Sequence, residues 1–248
     1  MRLHILGSSS SGNCYLLQSE RTGEVLALEA GVRFDKVQRA LGYDLQKVVG
    51  CCVTHEHGDH AKYAADMLAH CIPVVCSEGT AKALHIQSSH FTQITPARQM
   101  TRLGSFQIIP FPVQHDAAEP YGYLIRHNEC GTVLFATDTY YLRFKFGGLN
   151  NIMIECNYRQ DILDDNIKLG RVPAAIRNRI IRSHMSYDTC LETLLANDLS
   201  KVNNIILIHL SSDNSHASEF IKGISGNTHK SVMAAAAGMV LEFNKTPY

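Results

Sequence analysis

Short apolar runs alternate with amphipathic segments along most of the chain. Runs of strand length occupy 3–6, 13–18, 24–29, 47–54, 72–76, 106–113, 121–126, 132–137, 151–155 and 204–208. Helical patterns occupy 34–41, 61–68, 78–85, 161–168, 173–182 and 188–197. This alternation is typical of layered α/β proteins. Because no stretch resembles a linker rich in proline, glycine or serine, we expect one domain over residues 1–248.

Histidine or aspartate follows several of these predicted strands within two positions. The positions are His55, His115, Asp138 and His209. Active sites in layered α/β proteins are commonly built from loops at one edge of the sheets. We therefore expect these four strand ends to converge on one site.

The segment 54–60 concentrates three histidines and an aspartate in a few positions. A buried imidazole or carboxylate without a partner is costly, whereas a metal ion makes such crowding favourable. If extended geometry continues through the first ligands, His55 and His57 point to the same side, Gly58 turns the chain and Asp59 begins a helix. A catalytic zinc usually takes three protein ligands, so this excess favours two adjacent ions.

Composition narrows the class of protein without identifying a substrate. Of 248 residues, 45% are hydrophobic and 19% charged, which describes an ordinary globular protein. Lysine plus arginine equals aspartate plus glutamate at 23 each, so recognition of a polyanion has to depend on local patches. The eight cysteines lie mostly in apolar runs without paired spacing, which favours reduced core thiols over disulfides. With neither a signal-peptide pattern nor an apolar run of membrane-helix length, we expect a soluble, cytoplasmic protein.

The segment 55–60, followed by His115, Asp138 and His209, resembles the metallo-β-lactamase fold superfamily. The resemblance covers nearly the whole chain and implies a four-layer αββα sandwich with a dinuclear metal site on one rim. It also assigns the ligands, with Asp138 bridging the two ions. The first ion would be held by His55, His57 and His115, and the second by Asp59, His60 and His209.

The resemblance implies two divalent metal ions, and zinc, manganese and iron all suit histidine and carboxylate ligands. Between them a water with a pKa lowered toward about 7 would provide a metal-bridging hydroxide. Glu29 stands where the superfamily usually has Asp, and it would orient a metal-bound histidine. The remaining histidines are interpreted as surface or core residues, and His90 among them follows no convincing strand.

Within the superfamily, the segments 10–13, 115–123, 137–139, 183–186 and 209–214 resemble the WalJ-type bacterial DNA exonucleases. Ser183 and Met185 depart from the Gly-His-Leu-Ser motif of that group. This resemblance implies a nucleic-acid partner, namely DNA with a 5′ end, and digestion from 5′ to 3′. The residues predicted to be catalytic are Asp59 and His184. The residues predicted to bind substrate are Ser11, Asn13, Arg182, His184, Ser186, Ser211 and Asn214.

His184 follows a segment containing Arg177, Arg179 and Arg182, and two interpretations stay open. The segment is either a solvated helix face with an exposed histidine, or a phosphate-binding element. In the second case the arginines grip phosphate, while His184 stabilises the phosphoryl oxygens or protonates the leaving group. The serine-rich loop 7–13 is similarly either a flexible turn or a wall of hydrogen-bond donors.

Three function classes follow from the sequence. The leading hypothesis is a dinuclear metal-dependent phosphodiesterase, most specifically a DNA 5′-to-3′ exonuclease. The alternative is a small-molecule hydrolase acting on a cyclic nucleotide, a lactone or a thioester at the same site. A metal protein without turnover is disfavoured, because a site kept for folding is normally closed by four ligands. The sequence leaves the oligomeric state open.

Overall fold

The computed structural model describes residues 1–86 and 92–247, so that His90 lies outside the described residues. Two sheets of seven strands form the centre of this part of the chain. The first sheet has the order β14-β1-β2-β3-β4-β5-β6 and the second β13-β12-β11-β10-β9-β8-β7. Each sheet is antiparallel in one half and parallel in the other, with β14 to β3 and β7 to β10 antiparallel and β3 to β6 and β10 to β13 parallel.

The strands of the first sheet are β1 (Arg2–Gly7), β2 (Cys14–Gln18), β3 (Val25–Leu28), β4 (Val48–Cys52), β5 (Val74–Cys76), β6 (Thr92–Ile94) and β14 (Val240–Glu242). Those of the second are β7 (Thr101–Leu103), β8 (Phe106–Pro112), β9 (Tyr121–His127), β10 (Gly131–Ala136), β11 (Asn151–Glu155), β12 (Asn204–Ile208) and β13 (Ser231–Ala234). The helices are α1 (Phe34–Ala40), α2 (Gly58–Ala61), α3 (Ala64–Ala69), α4 (Glu78–Ala83), α5 (Gln160–Lys168), α6 (Arg177–Ser183), α7 (Tyr187–Leu195) and α8 (Ala217–Thr228).

The central core lies between the two sheets. In β1, Leu3 and Ile5 are fully buried while Arg2 is exposed, which is the period of two expected for a strand with one face inward. These side chains share one cluster with Phe106 and Phe135 of the second sheet. The inner faces of the two sheets therefore pack directly against each other.

Helices cover the outer face of each sheet. Val37 of α1 and Met67 of α3 pack with apolar side chains of β2 to β5 in one cluster. Cys190 of α7 and Phe220 of α8 pack with β10 to β12 in another. The four layers confirm the αββα sandwich predicted from the sequence.

The direction of the central strands determines where polar residues gather. The pairs β3–β4, β10–β11 and β11–β12 are parallel, so their carboxyl ends lie at the same rim of the sandwich. The residues that follow β3, β4, β10 and β12, and the last residue of β11, include Glu29, His55, Asp138, His209 and Glu155. We call this edge the metal rim and the other end of the strands the opposite rim.

Several elements differ from the sequence-based expectation. The helix predicted over 61–68 is divided into α2 and α3, and the one predicted over 173–182 into a 3₁₀ turn (Ala174–Ile176) and α6. The strands β6, β7, β13 and β14 and the helix α8 were not predicted. These strands have only three or four residues, too few to show a period, and α8 contains Gly223 and Gly226, which disfavour helix.

Two further expectations concern the thiols and the membrane. All eight cysteines are free, and all except Cys71 are buried. Among residues 1–86 and 92–247, no helix combines the length and the apolar character needed to cross a bilayer.

Candidate metal centre

Three imidazoles form the first group at the metal rim. His57 Nδ1 lies 3.1 Å from His55 Nε2 and 3.1 Å from His115 Nε2. Although β4 ends at Cys52, before the first of these ligands, the loop still turns His55 and His57 toward each other. Nitrogens bound at 2.0–2.1 Å to one tetrahedral zinc lie about 3.3 Å apart, so these spacings fit one metal ion.

A second group lies directly beside the first. His60 Nε2 is 3.3 Å from Asp59 Oδ2 and 3.2 Å from Asp138 Oδ2, and His209 Nε2 is 3.3 Å from Asp59 Oδ2. Asp138 Oδ2 is also within 3.7 Å of His55 Nε2 and 3.6 Å of His115 Nε2. Asp138 therefore stands between the two groups, in the place where the sequence analysis expects a bridging carboxylate.

The backbone is constrained where it delivers these side chains. Glu29, Asp138 and His209 adopt the left-handed conformation, with φ of 68°, 44° and 53°. Such non-glycine residues carry strain that the surrounding structure has to hold, and they cluster at functional sites. Gly31 has a steric role, because a Cβ there would lie 1.8 Å from the Asp59 carbonyl oxygen.

The buried polar atoms indicate that the centre is complete only with a cation. Within the described residues, His209 Nε2 is buried without a hydrogen-bond partner and lies 3.3 Å from Asp59 Oδ2. Buried polar groups are normally satisfied, so an unpaired imidazole nitrogen facing carboxylate oxygens points to a ligand. The two groups together form a histidine and aspartate cluster that fits divalent metal ions.

The pKa shifts distinguish the two groups. Burial, reinforced by neighbouring imidazoles, lowers the pKa of His55 well below its usual value and keeps the ring neutral, the form that binds metal. Burial opposes charge on His60 and His209 as well, but Asp138 together with the other carboxylates around each ring outweighs it and raises their pKa. The second group thus attracts positive charge, which a metal ion would supply.

Glu29 lies behind His60, as the sequence analysis expected of a supporting acceptor. Its Oε1 is 3.4 Å from His60 Nδ1, and its carboxylate accepts hydrogen bonds from the Thr54 amide at 3.2 Å and the Thr54 hydroxyl at 2.6 Å. The longer side chain of Glu therefore still reaches the histidine. It also ties the end of β3 to the loop that follows β4.

Glu155 is the important site residue that the sequence analysis missed. It is fully buried at the end of β11, and its Oε1 lies 2.7 Å from His184 Nδ1 and 3.1 Å from His209 Nδ1. Its Oε2 accepts hydrogen bonds from the amides of Thr139 and Met185. The available signal was a carboxylate closing an apolar strand, the same signal that identified Asp138.

His184 lies beside the predicted ligands on the wall of a cavity. Its ring centroid is 5.6 Å from that of His115 and 5.5 Å from that of His209. Burial alone would lower the pKa of His184, but the charge and hydrogen bond of Glu155 raise it above the usual value. Because Nδ1 donates to Glu155, Nε2 is the nitrogen left for a ligand in the cavity.

The cavity has a volume of about 380 Å³ and opens onto both metal groups. Its wall includes Arg179 and Ile180 of α6 and Ser211 and Ser212 of the loop after β12. Arg179 is 70% exposed and pairs with Asp116 at 3.2 Å. A cation and hydroxyl groups therefore stand at the mouth, opposite the predicted metal ligands.

Of the predicted substrate-binding residues, His184 and Ser211 line this cavity, whereas five do not. Ser186 caps α7 by accepting from the Thr189 amide. Asn214 is buried and bonded to Ser211 and Asn166. The other three are Asn13, which is buried against Asp59 and His60, the exposed Arg182, and Ser11, which lines a neighbouring groove.

Comparison with known proteins places this geometry in a family. A family model described as "Beta-lactamase superfamily domain" matches residues 29–210, a range that contains every predicted metal ligand. The chain is 30% identical to exodeoxyribonuclease YycJ of Bacillus anthracis, across 86% of this chain and 84% of that protein.

Solved structures show the same fold at lower identity. The metallo-beta-lactamase fold protein YhfI of Bacillus subtilis matches with a TM-score of 0.71 and 16% identity, covering 97% of this chain and 99% of that one. Zn²⁺-bound PqqB of Methylobacterium extorquens matches with a TM-score of 0.71 and 12% identity, covering 97% and 99%.

Proposed function

This chain belongs to the metallo-β-lactamase superfamily of hydrolases, and we propose that it is a dinuclear metal-dependent phosphodiesterase that digests DNA from the 5′ end. The observation that carries the proposal is His184, set between the cavity and the buried carboxylate of Glu155 beside both metal groups. A cationic imidazole next to a metal pair suits an anionic substrate with a poor leaving group. The likeness to an exodeoxyribonuclease supports DNA as that substrate.

In this proposal, some residues at the metal rim bind the ions and others contact the substrate. His55, His57 and His115 would hold one ion, and Asp59, His60 and His209 the other, with Asp138 between them. When bound, zinc, manganese or iron ions lower the pKa of water and so supply a nucleophile at neutral pH. Asp59 lines the cavity and is more exposed there than Asp138, at 23% against 3%, so we assign it the contact with the attacking oxygen.

His184 acts on the leaving side in this proposal. Its Nδ1–H is fixed by Glu155, and the raised pKa favours a proton on Nε2. That proton can be donated to a phosphoryl oxygen or to the departing 3′ oxygen of the terminal nucleotide, while the phosphate stays on the 5′ oxygen of the next nucleotide. Glu155 is a positioning residue, since it acts by orienting His184 and stabilising its charge.

The rim of the cavity supplies contacts for the phosphate group. Arg179 would contact a phosphate oxygen after exchanging its exposed ion pair with Asp116, an exchange that costs little because exposed pairs contribute about 0–1 kcal/mol. The hydroxyl groups of Ser211 and Ser212 lie on the same wall. Arginine and hydroxyl donors are the usual phosphate contacts of nucleic-acid enzymes.

One observation favours the alternative, hydrolysis of a small molecule such as a cyclic nucleotide, a lactone or a thioester. The cavity volume of about 380 Å³ lies within the range of small-ligand pockets. A lactone, however, has no use for a cation at the cavity mouth or for an imidazolium beside the metal ions.

A substrate panel decides between these functions. Protein loaded in turn with zinc, manganese or iron is assayed on bis-p-nitrophenyl phosphate, single-stranded DNA, RNA and a lactone, with metal content measured by elemental analysis. We expect hydrolysis of the phosphodiesters and release of nucleotides from the 5′ end of end-labelled DNA. Hydrolysis of the lactone alone would overturn the nuclease proposal, and release from the 3′ end would reverse the direction.

A further inference from the structure

We propose that a basic groove beside the metal centre binds the phosphate backbone of the nucleic-acid strand next to the scissile linkage. We define the basic groove by Ser11, Arg33, Lys36 and Lys62, with a volume of about 710 Å³. The inference rests on the proposed phosphodiesterase function and adds the path of the strand. Neither the metal ligands nor His184 uses these side chains.

The basic groove and the catalytic cavity meet at the predicted nucleophile side of the metal centre. Both are lined by Ser10 and Asp59, and the groove extends from these residues to α1, which carries Lys36. A strand cleaved at the metal ions would therefore extend into the cavity on one side and into the basic groove on the other. The terminal nucleotide fits the cavity beside His184, and the rest of the strand fits the groove.

The charge of the groove matches a polyanion. Among the described residues that line it, Asp59 is the only carboxylate, and it faces His60 and His209. Arg33 is paired with Asp35 at 3.2 Å, so the charge excess comes from the two lysines. Lys36 and Lys62 are exposed and form no ion pair in the part of the chain that the structure describes. The overall charge of the protein is zero, so this local excess is the kind of patch that phosphate recognition requires.

Hydroxyl groups continue the groove toward the metal ions. The side chains of Ser10 and Ser11 form no hydrogen bond within the described residues, whereas the neighbouring Ser8 accepts from the Tyr15 hydroxyl and the His209 amide. The loop is thus fixed through Ser8 while two hydroxyl groups stay available. Serine hydroxyls are common donors to phosphate oxygens.

The test reverses charge in the groove and at matched positions elsewhere. The groove variant is Lys36→Glu with Lys62→Glu. The control is Lys145→Glu with Lys222→Glu, two exposed lysines that line neither the cavity nor the groove and form no ion pair among the described residues. Both double variants change the net charge equally, so any difference between them reports position. Metal-loaded enzyme is assayed on a dinucleotide and on a long single strand, and binding of a labelled strand is measured in parallel.

We expect the groove variant to lose roughly tenfold in kcat/KM on the long strand at low salt, and much less on the dinucleotide. Its logarithmic salt dependence should fall by about 1.4, the value for two lost single-strand phosphate contacts. The control variant should match the wild type. Equal losses of kcat/KM in both variants, or equal losses on both substrates, would contradict strand binding in the basic groove.

The binding measurement separates this inference from the proposed function. A wild type that binds the strand without cutting it, with binding lost in the groove variant, would support the groove and overturn the phosphodiesterase. Rapid cutting by the groove variant at the wild-type salt dependence would overturn the groove alone. A wild type that neither binds nor cuts nucleic acid would overturn both.

Discussion

The two rims of the sandwich differ in whether protein atoms satisfy the hydrogen bonds of their buried polar groups. At the opposite rim, buried Asn151 donates to the Cys130 carbonyl at 2.9 Å and accepts from Asn204 at 2.9 Å. At the metal rim, imidazole nitrogens instead approach one another to 3.1 Å, and His209 Nε2 has no hydrogen-bond partner among the described residues. Where these strands begin, the buried polar groups are therefore satisfied by other protein atoms. Where they end, a metal ion would satisfy them.

Charge shows the same contrast. At the opposite rim, Glu129 accepts hydrogen bonds from the Ser19 hydroxyl and the Glu20 amide and pairs with the Met1 amino group at 2.9 Å. At the metal rim, the carboxylate of Asp138 faces imidazoles of both metal groups. A satisfied carboxylate contributes to stability, whereas a carboxylate among unpaired nitrogens is arranged for binding a cation. Substitution of a polar residue should therefore lower activity at the metal rim and stability at the opposite rim.

The largest effect is expected from Asp138→Asn, which keeps the volume of the side chain and removes its charge. Loss of the carboxylate between the two groups should remove at least one ion and lower kcat/KM on bis-p-nitrophenyl phosphate by about 10³-fold or more, since a metal ion contributes several kcal/mol. Elemental analysis and the hydrolysis rate measure the two effects. Full metal content with activity within tenfold of wild type would contradict the assignment.

His184→Ala should have the next largest effect. The predicted ligands are intact, so both ions should stay bound, while loss of a general acid should lower kcat by about 10²-fold. The comparison is His127→Ala at the opposite rim, where the ring contacts Ser105 and the Glu129 amide. That variant should lose stability and keep its activity per folded molecule. Equal activity of the two variants would contradict the general-acid role of His184.

The smallest effect on activity, with a clear effect on stability, is expected from Glu129→Gln. Hydrogen bonds to a charged group contribute about 1.5–3 kcal/mol, so urea unfolding near neutral pH should show a loss of that order and unchanged turnover. Burial raises the pKa of Glu129, but the hydrogen bond from Ser19 and the Met1 ammonium outweigh it and lower the pKa from 4.5 to about 2.

The pH dependence of that loss follows from the direction of the shift. Because the pKa is lower in the folded state, the stabilisation is complete above pH 4.5 and disappears as the pH falls through about 2. Wild type and variant should therefore converge in stability across that interval. Metal release in acid is common to both proteins and cancels in the difference. A constant difference down to the lowest pH would assign the loss to packing.

Long buried strands were well predicted, and short elements at the sheet edges were not. The runs that became β10, β11 and β12 are apolar between their end positions, over residues 133–136, 152–154 and 205–208, because parallel strands covered on both faces bury every side chain there. The strand β7 has three residues and β14 has three, so neither shows a period. Their existence depends on the neighbouring strand that each one pairs with.

The contacts of the predicted substrate-binding residues could not be read from the sequence for a different reason. Ser186 and Asn214 lie in segments that resemble known nucleases, but in the structure their side chains cap a helix and fix a loop. A sequence motif indicates which residue type occurs at a position, but it does not indicate which atoms the side chain contacts. Arg182 and Arg179 are three positions apart on α6, and only the packing of the helix brings Arg179 to the cavity.

The residue pattern by itself determined a layered α/β protein, the rim and the types of residue in the metal cluster, and the family resemblance added the αββα sandwich. The pattern was sufficient because strand ends and ligand-type residues coincide, and because burying so many imidazoles and carboxylates is favourable only around a cation. Only the tertiary structure decided that Glu155 holds both His184 and His209, and that Lys36 and Lys62 share one groove with Asp59. These contacts join residues far apart in the chain, and no local pattern records a distance across the core.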